Sequence, residues 1–169
     1  IYYGDEAGVC GFTDPDNRRT YPWGHEDHDL IDFHKKMIRI HKACPAIMKG
    51  SVKILWADYN YLAYGRFTEE DQVLVVFNAG KDTIERTVRV RDIGIGAGDN
   101  LIQLLMTDGD GYHTDAVVYQ MNQYDVTVKL PPTSAIVLHA QQSGEDELFW
   151  KNGNIGQISE IHTSWTDSI

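Results

Sequence analysis

The spacing of apolar residues changes once along the chain, and the change separates a helix from a run of strands. Between residues 27 and 44, Leu30, Phe33, Met37 and Ile40 recur at i, i+3, i+7 and i+10, with Ile31 and Ile38 widening the stripe. That is one face of a 3.6-residue period, so a helix is expected there. Asp27 and Asp29 suit its start, where unpaired amide donors and the dipole favour anions. Pro45 is expected to stop it. The width of the apolar face suggests a helix covered on two sides.

From Gly50 to Ala140 the period becomes two. Val52, Ile54 and Trp56 alternate with polar positions, which predicts that all three face inward and that Trp56 is largely buried. Ile84, Val88 and Val90 alternate with Glu85, Thr87, Arg89 and Arg91, the pattern of a half-buried antiparallel strand. Further strands are expected at 61–67, 72–78, 101–106, 116–121, 126–130 and 134–139. Turn clusters at 68–71, 79–82, 94–100, 108–111 and 131–133 separate most of them. Short strands at this spacing predict a two-layer antiparallel β-sandwich over residues 50–140. Residues 1–49 form a separate region: a β-prone run, Ile1-Tyr2-Tyr3, a loop rich in Gly, Asp, Pro and Asn, and the helix. Residues 141–169 form a polar tail with isolated Phe149, Trp150 and Trp165.

Composition narrows the partners. The chain has 169 residues and a formal charge of −10, with 25 acids against 15 Lys and Arg. Phosphate backbones would be repelled, and no basic stripe offsets the charge, so nucleic acid is not an expected partner. No apolar run approaches the roughly 18–20 residues that span a bilayer, so no membrane segment is expected. Cys10 and Cys44 lack metal-type spacing and are expected to be free thiols.

The segment Ile1-Tyr2-Tyr3-Gly4-Asp5-Glu6-Ala7-Gly8, followed by Asp14-Pro15-Asp16-Asn17-Arg18-Arg19 and Tyr21-Pro22-Trp23-Gly24, resembles glycoside hydrolase family 13. The likeness is nearest to its neopullulanase, cyclomaltodextrinase and amylopullulanase branch. It implies a mainly β fold: an antiparallel sandwich of the domain C type, preceded by the last strand, loop and helix of a (β/α)8 barrel. It also implies retaining hydrolysis of α-glucosidic bonds by two carboxylates about 5–5.5 Å apart. Those carboxylates lie on barrel strands that would precede Ile1. A whole barrel needs about 250 residues, so the resemblance implies a C-terminal fragment with its catalytic barrel elsewhere in the parent chain.

Local acids are poor substitutes. Asp5 and Glu6 are adjacent on the expected strand, so their side chains would point to opposite faces and could not flank one bond. Asp14 and Arg18 are different. The resemblance implies that this pair reaches donor-side sugar subsites in the parent enzyme; a carboxylate and a five-donor guanidinium can grip vicinal hydroxyls. The plainer alternative is that they pair with each other and brace the loop. His25 and His28 with their acidic neighbours read as a polar helix start, and Asp108-Gly109-Asp110-Gly111 as a tight turn, because Tyr112 and Tyr119 stand where a calcium loop needs ligands. No metal or cofactor is expected. Trp56, Tyr59, Tyr61 and Tyr64 fit either a sandwich core or a sugar-stacking platform.

Two functions follow. The first is a non-catalytic structural domain of an α-glucan hydrolase, with α-glucan met only through the parent. The alternative is a stand-alone carbohydrate-binding β-sandwich module. The apolar side chains of residues 1–24 would need cover, from the parent's barrel or by self-association of this chain.

Overall fold

A computed structural model describes residues 2–141. They form two compact units that meet in sequence between Ile40 and His41. Ile1 and the tail from residue 142 lie outside the described residues, and with them the tail's expected role.

In the first unit the expected strand does not form at Tyr2–Tyr3. A strand needs a neighbour to take its amides and carbonyls, and among the described residues none pairs with this one. The chain turns on itself instead. The Tyr2 amide donates to Asp5 Oδ2 at 2.9 Å, and the Asp5 amide to the Tyr2 carbonyl at 3.1 Å. A 3-10 turn over Asp5–Ala7 follows, so Asp5 and Glu6 sit on a turn rather than on opposite faces of a strand. Gly4 and Gly8 bracket it at φ 83° and 74°, left-handed values that suit glycine. The Asp27 amide donates to the Ala7 carbonyl at 3.2 Å, which ties this turn to the start of helix α1 (His28–Ala43). Asp27 caps that helix, its Oδ1 accepting from the Leu30 amide at 2.9 Å.

In the second unit Pro45 ends α1 and also opens a short helix α2 (Pro45–Lys49), since proline is pre-organised for a first helical turn. Among the described residues nine strands follow: β1 (Ser51–Ala57), β2 (Tyr61–Phe67), β3 (Gln72–Asn78), β4 (Ile84–Arg89), β5 (Asn100–Asp108), β6 (Gly111–His113), β7 (Val118–Tyr119), β8 (Asp125–Leu130) and β9 (Ser134–Gln141). Every pairing is antiparallel. The layers are unequal: a seven-stranded sheet in the order β1-β2-β3-β9-β5-β6, with β7 also on β5, faces a two-stranded sheet of β4 and β8.

Leu74, Val76, Ile136 and Leu138 from the large sheet meet Val88, Val126, Val128 and Leu130 from the small one, and all eight are buried. Ile84, beside them, is half-buried as an inward residue at a sheet end. Ile93, and Ile95 in a stretch expected to be turn, also enter the core. On the far face of the small sheet, Glu85 stands opposite Lys129, Thr87 opposite Thr127 and Arg89 opposite Asp125. Opposite charges and a 2.9 Å hydroxyl contact therefore hold the register from the solvent side.

The expectation for β1 fails. Val52 and Ile54 are 63% and 64% exposed, and Trp56 is 42% exposed. A β-bulge between Ile54 and Trp56 breaks the alternation. Before it, Val52 and Ile54 pair with Arg66 and Tyr64, on the face away from the core. After it, Trp56 pairs with the buried Ala63, and Leu55 packs against the core. The register shift between Ile54 and Trp56 flips the faces, so one period of two does not hold across β1.

Candidate functional site

Asp14 and Arg18 lie in the loop between the 3-10 turn and α1. The Arg18 guanidinium donates from Nε to Asp14 Oδ1 at 2.7 Å and from Nη2 to Oδ2 at 3.2 Å. This parallel fork matches the geometry of guanidinium and carboxylate. Both side chains remain mostly exposed, so the donors and acceptors not used in the fork face solvent. Next to it, Arg19 donates to both oxygens of Asp16, whose Oδ2 also accepts the Phe12 amide at 3.0 Å. The bonds from Arg19 and from the Phe12 amide hold the Asp16 carboxyl below the usual range. The loop thus presents two carboxylates and two guanidiniums as two closed pairs. Each pair braces the loop, and Trp23 stands 79% exposed a few residues on.

A second constellation surrounds the turn between β1 and β2. Trp56 Nε1 donates to Asp58 Oδ2 at 3.2 Å, while Asp58 Oδ1 accepts the amides of Asn60 and Tyr61 at 3.0 and 2.9 Å. The Asn60 amide bond, the largest influence, acts with the indole and Tyr61 bonds to keep the Asp58 carboxyl below its ordinary range. One carboxylate therefore fixes both the turn and the indole. Tyr61 sits in the core, its ring edge-on to Trp56 at 6.5 Å, and burial pushes its hydroxyl up to about 12. Tyr59, at the tip, is 98% exposed. Tyr64 lies on the other face, stacked on Phe77 at 6.2 Å. The four aromatics singled out from the sequence thus divide: Tyr61 fills the core, Tyr64 packs on the outer face, and Trp56 and Tyr59 share one turn.

The remaining candidates resolve into structural parts. Asp108 and Gly111 close the β5–β6 hairpin, with Asp108 Oδ1 accepting the Asp110 amide at 2.9 Å and Oδ2 meeting His113 Nε2 at 2.9 Å. Among the described residues no group of three or more His, Cys, Asp or Glu side chains converges as a metal site, and no helix is long and apolar enough to cross a membrane. Cys10 and Cys44 are free thiols, and burial pushes Cys44 up to about 12, far from the thiolate range.

Sequence reasoning passed over a buried polar cluster beside Cys44. Asp71 joins His139 of β9 and the Ala46 amide of α2, at 2.6 and 2.7 Å. An acid in a turn cluster and a histidine 68 residues away carry no shared local signal.

The profile described as "Alpha amylase, C-terminal all-beta domain" matches residues 56–141. An amylopullulanase of Thermoanaerobacter thermohydrosulfuricus is 34% identical over 147 residues, which is 79% of this chain and 10% of that protein. Among solved structures, a cyclomaltodextrinase superposes with TM-score 0.64 at 28% identity, covering 83% of this chain and 23% of that one. The α-amylase of Geobacillus thermoleovorans, solved with acarbose, superposes with TM-score 0.69 at 18% identity, covering 83% and 29%. The chain spans about a tenth of the amylopullulanase it matches.

Proposed function

Because the chain belongs to glycoside hydrolase family 13, the α-amylase family, and carries its C-terminal all-β domain, we propose that it serves an α-glucan-cleaving parent enzyme as a non-catalytic structural domain. The observation that carries this reading is the sandwich itself. Its core is closed by side chains of both sheets, while the outer face of β1 presents Val52 and Ile54 to the outside. Exposed aliphatic residues beside a finished core are suited to a protein neighbour rather than to chemistry. The catalytic region of the parent would supply that neighbour. Residues 1–49 would belong to its barrel and residues 50–140 to domain C.

Hydrolysis with retention requires a nucleophile and a proton donor across one bond. The purified chain is therefore expected to release no reducing sugar from starch, pullulan or cyclodextrin. Release that disappears on Asp5→Asn or Glu6→Gln substitution would overturn the reading. Asp14 and Arg18 would meet donor-side glucose units only in the parent, where the opposite cleft wall exists. Supporting this, their fork leaves both groups exposed and mutually fixed. Arg18→Ala in the full-length enzyme should raise KM for maltooligosaccharides far more than it lowers kcat.

The apolar side chains of Tyr2, Phe12 and Trp23 are exposed in the first unit. They would be covered by the barrel in the parent and by a second copy when the chain is alone. Sedimentation of the chain beside a Phe12→Asp, Trp23→Asp variant tests this. Monomers of both at high micromolar concentration would remove self-association from the picture.

A further inference from the structure

We propose that the β1–β2 turn carries a surface binding site for neutral α-glucan chains, with the Trp56 indole as the stacking platform and Tyr59 as a second aromatic at the tip of the turn. The inference extends the family reading above to a site that the structural role does not require.

Three observations carry it. The first is orientation. The bulge after Ile54 places Trp56 on the face opposite Val52 and Ile54, so the indole is not part of the aliphatic surface of β1. It stands at the rim of the core, partly exposed, with no exposed aliphatic residue paired to it. A separate aromatic surface calls for a separate occupant.

The second is fixation. Asp58 holds the indole by its Nε1 and pins the turn by two amides, while Tyr61 abuts the ring edge-on. A ring held on two sides loses little freedom when a ligand arrives, which is the condition under which a shallow contact yields useful affinity.

The third is the chemistry of the surroundings. Asp58 and Asn60 lie in the turn itself, Asp58 bonded to the indole and to the Asn60 and Tyr61 amides. A carboxylate and an amide beside an aromatic ring match a pyranose, whose C–H face packs on a ring while its rim of hydroxyls seeks donors and acceptors. The net charge of −10 disfavours a polyanionic ligand. An uncharged polysaccharide suffers no such penalty.

The experiment is native electrophoresis of the full chain through gels containing soluble amylose, repeated with Trp56→Ala, Tyr59→Ala and Phe77→Ala. The wild-type chain should be retarded. Trp56→Ala should weaken the apparent association about tenfold and Tyr59→Ala by a smaller factor, while Phe77→Ala, on the other face, should match wild type. Tyr59 is almost wholly exposed, so its variant keeps the test sound if Trp56→Ala perturbs folding. Absence of retardation, or retardation untouched by both turn variants, overturns the site. Neither result bears on the structural role, which is tested by hydrolysis and by the stability of the parent.

Discussion

Asp71 and His139 meet at 2.6 Å inside the second unit, one in the turn just before β3 and the other near the end of β9, neighbouring strands of the large sheet. The second carboxylate oxygen accepts the Ala46 amide at 2.7 Å, so one buried acid ties the two strands to α2. Burial alone would raise the Asp71 carboxyl, but the bonds from His139 and Ala46 outweigh it and leave the group below its ordinary range. A carboxyl depressed in the folded state contributes stability above its unfolded value and loses it as pH falls through the folded one. Chemical unfolding of the chain should therefore show a loss of stability below about pH 4. In Asp71→Asn that slope should flatten, and stability at pH 7 should fall by about 1.5–3 kcal/mol.

Gly65 of β2 lies under Ile93, and a Cβ at Gly65 would fall 2.5 Å from Ile93 Cδ1. Because Ile93 is wholly buried in the core, it has little room to retreat. Gly65→Ala should cost roughly 1–3 kcal/mol by overpacking. Combining it with Ile93→Val should recover part of that loss, both changes being read from urea titrations.

Asn78 ends β3 as a buried junction. Its Nδ2 lies within 2.7–3.2 Å of the carbonyls of Asp82, Leu130 and Pro131, and its Oδ1 accepts the Gly80 amide at 2.9 Å. Asn78→Ala leaves these buried groups without a partner, at about 1–3 kcal/mol for each that water cannot reach. The midpoint of thermal unfolding should drop more than for Val88→Ala, a simple cavity in the same core expected to cost roughly 1–3 kcal/mol.

Val52→Thr with Ile54→Thr should leave the stability of the isolated chain within about 0.5 kcal/mol, since both side chains are already exposed. The same pair of changes in the full-length parent should lower its melting temperature. Equal effects in both contexts would mean that this face does not meet the rest of the enzyme.

Much of this protein was set by residue patterns alone. The expected bounds of β2 and β3 agree with the structure, and those of β8 differ by one residue, because β-branched and aromatic runs between turn clusters have one favourable conformation. The helix from His28 to Ala43 follows from a stripe that repeats over about three turns. The motifs of the first 24 residues carried the family, which the profile over residues 56–141 then matched through other residues. Tertiary structure decided the rest. Whether Trp56 faces the core rim or the opposite side depends on a single inserted residue, and a bulge leaves no mark in a hydropathy pattern. Tyr2 and Tyr3 have strand-forming side chains, yet a strand exists only where another strand supplies hydrogen-bond partners. Asp71 and His139 are brought together by sheet order, and the energy of a buried hydrogen-bonded contact belongs to that juxtaposition rather than to either residue.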